Sequence, residues 1–257
     1  MKVYCITAGC EPVYGKMWWD TNGWDVEIYP AVQPSNLTLP VSPIPFEQAE
    51  FMGASFKTYV GTRYWRSPQH SLRETWIKML REITDDCLFV EADCLPCCDA
   101  VTFASMIKTH IASEIDKYSY NIFRPFRCLE TADVPFNQPD SLKLLNMSAL
   151  CAPTVRTGKL LTTANNREVW GTHALYIPEK SRKYVASILE SIMLPVDSAI
   201  EFAVATGSIR GVCTSKSMFI QMDDESPYRL YRGLSNLVKN RMEYVDYWDG
   251  GKIKKLD

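Results

Sequence analysis

The period of apolar and polar residues changes several times along this chain. Lys2–Thr7 alternates and closes on Ala8-Gly9, which predicts a strand running into a turn. Asp25–Tyr29 predicts a second strand. Pro30, Pro34, Pro40, Pro43 and Pro45 follow closely on one another. Proline fixes φ and removes a backbone donor, so this stretch is expected to be an extended connection rather than a helix or a central strand. Ser71–Thr84 is the first clear helix: Leu72, Trp76, Met79, Leu80 and Ile83 form one stripe, with Arg73, Glu74, Lys78, Arg81 and Glu82 mostly off it. Leu88–Val90 then predicts a buried strand, Asp99–Lys117 a helix containing Val101, Phe103, Met106, Ile107 and Ile111, and Tyr118–Phe123 a strand.

The second half is more mixed. Leu142–Cys151 and Val169–Ile177 predict strands, and Glu179–Met193 a helix with Tyr184, Val185, Ile188, Leu189 and Ile192 inward. Pro195 interrupts the chain, Val196–Thr206 predicts a short helix ended by Gly207, and Gly211–Gln221 a late strand. Helices alternating with strands argue for an α/β fold with a mostly parallel central sheet flanked by helices. Such sheets bind ligands beyond the carboxyl ends of their strands.

At 257 residues the chain has room for one large domain or two small ones. Apolar residues make up 46% and charged residues 23%, which suits a globular protein with a substantial core. A net charge of -2 excludes a uniformly basic nucleic-acid sleeve but leaves a local basic face open. No run of 18 apolar residues predicts a transmembrane helix, and the first residues are interrupted too early, by Glu11 and Pro12, to read as a signal peptide. Nine cysteines without framework spacing are expected to be reduced thiols of a cytoplasmic protein.

The chemistry gathers where the third strand ends. Cys87–Asp93 is an apolar run closing on Glu91-Ala92-Asp93, which sets two acids at the rim of a sheet. Mn²⁺ and Mg²⁺ prefer carboxylate oxygens, and Mg²⁺ combines one or two of them with phosphates. Asp93 is the expected direct ligand, with Glu91 acting through water or orienting the site; solvated acids before a turn are the plain alternative. His70, with Arg66 nearby, opens a helix whose amide groups favour anions, although a capping residue and a surface arginine would look the same. In W-G-T-H-A-L-Y-I, residues 170–177, His173 is either a third metal ligand, a contact to phosphates, or a hydrogen-bonded packing residue. Asp197 stands at a helix start, as an N-cap or as a general base. Cys94, Cys97 and Cys98 have a C-x-x-C spacing, but no second pair accompanies it, so buried thiols are expected rather than structural zinc.

The order of these segments resembles the family 25 glycosyltransferases, of the lipooligosaccharide and collagen-galactosyltransferase type. Gln69-His70 stands for the family's Ser-His, Glu91-Ala92-Asp93 for its acidic triplet, Gly171–Tyr176 for its Gly-Thr strand, and Pro195-Val196-Asp197 for its Pro-Val-Asp helix start. Ala92 replaces the middle acid, and Ser67 stands near the place of the family's cysteine. The likeness spans residues 2–221, with the proline-rich stretch and 125–168 unmatched.

The resemblance implies a GT-A fold, a nucleotide-sugar donor (a UDP-sugar), Mn²⁺ or Mg²⁺, and inverting transfer to a hydroxyl, by default of a saccharide. It assigns Asp93, Glu91 and His173 to the metal, and Thr7, Ala8, Ala31, Arg66, His70, Glu91 and His173 to the donor. Asp197 is assigned as the base. Residues 1–257 then form a single catalytic domain, with a nucleotide-binding half (1–125), an acceptor-side half (126–238) and a tail. Three other readings stay open: transfer to a hydroxymethylated DNA base, for which the basic residues near the chain's end are mostly offset by Glu243, Asp246, Asp249 and Asp257; a non-catalytic nucleotide-sugar-binding module; and a cysteine-based zinc or redox protein.

Overall fold

The computed structural model describes residues 1–7, 19–32, 45, 47–48, 67–92, 94–96, 98–125, 144–150, 154–156, 159–161, 172–214 and 218–221. The strands are β1 (Lys2–Thr7), β2 (Asp25–Pro30), β3 (Cys87–Glu91), β4 (Cys94–Pro96), β5 (Ile122–Arg124), β6 (Leu144–Asn146), β7 (Thr154–Arg156), β8 (Lys159–Leu161), β9 (Ala174–Tyr176), β10 (Gly211–Thr214) and β11 (Phe219–Gln221). The helices are α1 (Ser67–Glu82), α2 (Ala100–Met106), α3 (Ala112–Tyr118), α4 (Met147–Leu150), α5 (Glu179–Ser191) and α6 (Val196–Ala205). A π turn at Ile107–Ile111 joins α2 to α3.

Seven strands form one sheet in the order β2-β1-β3-β9-β5-β10-β6. β1 pairs in parallel with both β2 and β3, and β10 with β5, whereas β9 is antiparallel to β3 and β5, and β6 to β10. Five of the seven strands therefore share one direction, and the two reversed ones sit in the middle and at one edge. The sheet is mixed, with three parallel and three antiparallel pairings; the mostly parallel expectation is corrected by the reversed strands β9 and β6.

Alternation along the strands explains the layering. Tyr4, Ile6, Cys87, Phe89, Ile122, Leu175 and Cys213 enter one core with α1, α5 and α6. Their neighbours Val3, Cys5, Leu88, Val90, Phe123, Ala174 and Val212 enter a second core with α2, the π turn and α3. A sheet buried on both faces needs apolar residues at consecutive positions, and C-L-F-V in β3 supplies them. On the second face Trp19, Trp24, Phe103 and Phe219 form an aromatic cluster, with Phe103 and Phe219 centroids 5.5 Å apart and edge to face. The indole N–H of Trp19 donates to Cys94 O at 3.1 Å and that of Trp24 to Cys98 O at 2.9 Å. These bonds, and the pairing of β4 with β11, pin the chain just beyond the end of β3.

Two buried arginines fasten the helical layer. Arg73 of α1 donates to Leu189 O, Glu190 O and Ile192 O, carbonyls at the end of α5. Arg182 of α5 donates to Ile177 O, Ile83 O and Asp85 O at the other end of the same helix pair. Arg73 was expected off the buried stripe; its fork of donors is what lets it go inside.

Several expectations are corrected. The strand predicted for Tyr118–Phe123 begins only at Ile122, because Ser119 takes a left-handed φ of 53° that ends α3. Leu142–Cys151 yields the short β6 and then the helical turn α4. Gly211–Gln221 splits into β10 and β11, which belong to different sheets. Tyr184 is 46% exposed and its hydroxyl donates to Ser208 O at 2.6 Å, so it lies over the helix layer and not inside it. The described cysteines, Cys5, Cys87, Cys94, Cys98 and Cys213, are buried, as expected; Cys97 lies outside the described residues. No helix among the described residues is long and apolar enough to cross a membrane.

Candidate functional site at the carboxyl edge of the sheet

Strand order selects one edge. The chain leaves β1 toward β2 on one side, and leaves β3 toward the β9–β5 side. Connections that part in this way open a crevice beyond the carboxyl ends of β1 and β3. Register places Ile6 opposite Glu91, so Thr7 and Glu91 border that crevice.

The same edge receives the starts of α1 and α6. β9 runs against β3, so α5 begins at the opposite edge and climbs back to this one. α6 then starts here and descends toward β10. The arginine contacts agree: Arg73, near the start of α1, meets the end of α5, and Arg182, near the start of α5, meets the chain just after α1.

Thr7 is buried, and its carbonyl accepts from the Ala31 N–H at 2.9 Å. Val32 N–H donates to Thr75 Oγ1 at 2.8 Å, Thr75 Oγ1 donates to Ser71 O at 2.6 Å, and Ser71 Oγ donates to Val32 O. These bonds tie the exit of β2 to the first half of α1. His70 lies on that first turn, 5% exposed, with Nδ1 3.9 Å from Glu74 Oε1. Ala8 and Arg66 lie outside the described residues.

Glu91 ends β3. Its N–H donates to His173 O at 3.1 Å, Thr172 Oγ1 donates to its Oε1, and its Oε2 lies 3.8 Å from His173 Nε2. Its side chain keeps 17% exposure, so the carboxylate is oriented from one side and open on another. Thr172 and His173 immediately precede β9, and it is the reversed direction of β9 that brings them to this edge. His173 therefore stands before the strand rather than within it. The Glu91 carboxylate oxygens suit Mg²⁺ or Mn²⁺, whereas the His173 imidazole suits softer cations such as Zn²⁺ or Fe²⁺. Among the described residues no three His, Cys, Asp or Glu side chains stand together as a complete metal set; Asp93 lies outside them.

Asp197 sits in the first turn of α6 and not at its cap, because Pro195 takes the cap position. Its Oδ1 accepts from Ser198 N–H at 2.8 Å. Two residues near it were missed in the sequence. Arg124 closes β5 at this edge, 2% exposed, and Glu201 lies one turn along α6, 7% exposed. Burial pushes the Glu201 carboxyl up to about 8; the Asp197 charge pushes the same way and Arg124 opposes them. The overlooked signal was an acid four residues after Asp197 on an otherwise apolar helix, V-D-S-A-I-E-F-A-V-A.

No family model and no curated protein matches this chain. Among solved structures, the crystal structure of S. aureus TarS 1–349 overlaps 87% of this chain and 61% of that chain, at 11% identity and a TM-score of 0.36. An overlap of that depth carries no argument about family or activity.

Proposed function

We propose that the chain is a glycosyltransferase of GT-A type that moves a sugar from a nucleotide-sugar, a UDP-sugar by preference, to an acceptor hydroxyl at the carboxyl edge of the sheet. What supports this reading is the switch point in strand order at the carboxyl ends of β1 and β3, with Glu91 held by Thr172 beside His173 there and the start of α6 on the same edge. Acids at such a crevice suit a diphosphate accompanied by a divalent cation.

In this reading Thr7, Ala8 and Ala31 border the base and ribose, and Arg66 and His70 steady the donor. Asp93, Glu91 and His173 would hold Mn²⁺ or Mg²⁺. Such a cation, when bound, supplies positive charge against the leaving diphosphate. Thr172 fixes the Glu91 carboxylate so that one oxygen keeps its heading. Asp197 accepts the proton of the acceptor hydroxyl as the new glycosidic bond forms on the face opposite the departing nucleotide, with inversion. A saccharide is the proposed acceptor, and residues 1–257 act as one catalytic domain.

The test is a screen of nucleotide-sugar turnover with and without Mn²⁺, paired with melting in UDP plus Mn²⁺. Turnover that Asp93→Ala abolishes without lowering Tm, and a Tm raised by mass action, are expected. Normal turnover in the Asp93→Ala protein would refute that residue's role. No turnover together with a raised Tm would favour a binding module instead.

A further inference from the structure

α6 carries two acids on an otherwise apolar helix, Asp197 and Glu201. Four residues apart, they share a helix face with Cβ atoms about 5–6 Å apart. Asp197 is half-buried at the helix start, whereas Glu201 is one turn deeper and 7% exposed. Glu201 Oε1 is sealed from solvent and has no hydrogen-bond partner among the described residues. Among the described residues the charges acting on it are Arg124 from β5 and Asp197 from its own helix; α1, α4 and α5, which also pack against α6, bring none.

A buried carboxylate without donors is costly, and a neutral carboxylic acid is the cheaper state. Arg124 favours ionisation and Asp197 opposes it.

We propose that Glu201 is a positioning residue for Asp197: a neutral carboxylic acid one helical turn below it, which leaves Asp197 as the ionised member of the pair. This rests on the glycosyl-transfer reading for the role of Asp197. In the transfer, the acceptor oxygen bonds to the sugar carbon as that carbon's bond to the diphosphate oxygen breaks. The bonding pair leaves with the diphosphate, the hydroxyl proton passes to Asp197, and Glu201 neither gains nor loses a proton. An ionised Glu201 would repel Asp197 and draw Arg124 toward itself, which undoes the arrangement.

The test follows side-chain carboxyl carbons by NMR across pH in the full chain without ligand, for wild type, E201Q and D197N. One carboxyl is expected to titrate far above the rest, to vanish in E201Q, and to move to lower pH in D197N, where the neighbouring charge is gone. Should E201Q not fold, the D197N comparison still reads the coupling on the highest-titrating signal. A Glu201 that titrates with the ordinary carboxyls, or ignores D197N, overturns the proposal. With whichever nucleotide-sugar turns over, the wild-type rate is expected to fall on the alkaline side and that of E201Q not to. A chain that shows the coupled titration but turns over no nucleotide-sugar refutes the transferase reading and keeps the pair; an active enzyme with uncoupled carboxyls refutes the pair alone.

Discussion

Replacing Glu201 with glutamine should reverse the usual effect of a buried substitution, and by an amount that depends on pH. The carboxyl moves from an ordinary 4.5 to about 8 on folding, first through burial, with Asp197 adding to the rise and Arg124 reducing it. Below pH 4.5 the folded and unfolded chains both hold the proton. Between 4.5 and 8 the unfolded chain has released it while the folded chain still binds it, so stability falls as pH rises. The slope is about 1.4 kcal/mol per pH unit. From pH 5 to pH 7 wild type therefore loses about 3 kcal/mol through this group, and above pH 8 the loss levels off. Glutamine keeps the shape and has no proton to lose. The stability of E201Q minus that of wild type should accordingly rise by about 3 kcal/mol between pH 5 and 7. At about 2–4 °C per kcal/mol for a chain of this size, the Tm difference moves by roughly 6–12 °C. Urea unfolding followed by tryptophan fluorescence at pH 5, 6, 7 and 8 measures it, and taking the difference between the two proteins cancels the titrating groups that are not coupled to Glu201. A difference that stays constant with pH would show that Glu201 is not held neutral, and the reasoning would fail.

Three further outcomes follow from the packing. A Cβ on Gly211 would sit 2.7 Å from Met147 Sδ and 2.9 Å from Ile122 Cγ1, so Gly211→Ala should cost about 1–3 kcal/mol in chemical denaturation. An unchanged unfolding midpoint would mean that β10 and α4 are not in close contact there. Arg73→Met fills similar volume but strips donors from Leu189 O, Glu190 O and Ile192 O, and should destabilise by about 2–4 kcal/mol. A loss below about 0.5 kcal/mol would show that those carbonyls find other donors. Burial pushes the Cys87 thiol up to about 12, so it should resist iodoacetamide at pH 8 in the folded protein and react once urea unfolds it; peptide mass spectrometry after labelling decides.

Local periodicity carried much of the fold. β1, β3, α5 and α6 lie within a few residues of their predicted bounds because each is specified by its own alternation or stripe. α1 starts earlier than expected, at Ser67, because proline at the second helical position, Pro68, needs no N–H there. What escaped depends on partners distant in sequence. No pattern within Ala174–Tyr176 tells whether the strand runs with or against β3. Arg73 and Arg182 look like surface residues until the carbonyls they serve are known. For the site, Glu91, His173 and Asp197 could be picked out as residue types at strand and helix ends, whereas the Thr172 bond to Glu91 and the Arg124–Glu201–Asp197 group depend on how three separate strands and a helix meet.

The reversed strand β9 also has a consequence for how the chain comes off the ribosome. Leu88, Phe89 and Val90 pair with Ala174–Tyr176, and Phe123 pairs with Tyr176, so one three-residue segment joins two otherwise separate ribbons. Until synthesis passes that point β3 keeps one unzipped border, and β5 and β6 wait longer still, for β10; these aromatic and aliphatic segments are ready to recruit any extended peptide nearby. Fragments ending before residue 174 should therefore precipitate or require a chaperone, while those extending past β10 should not.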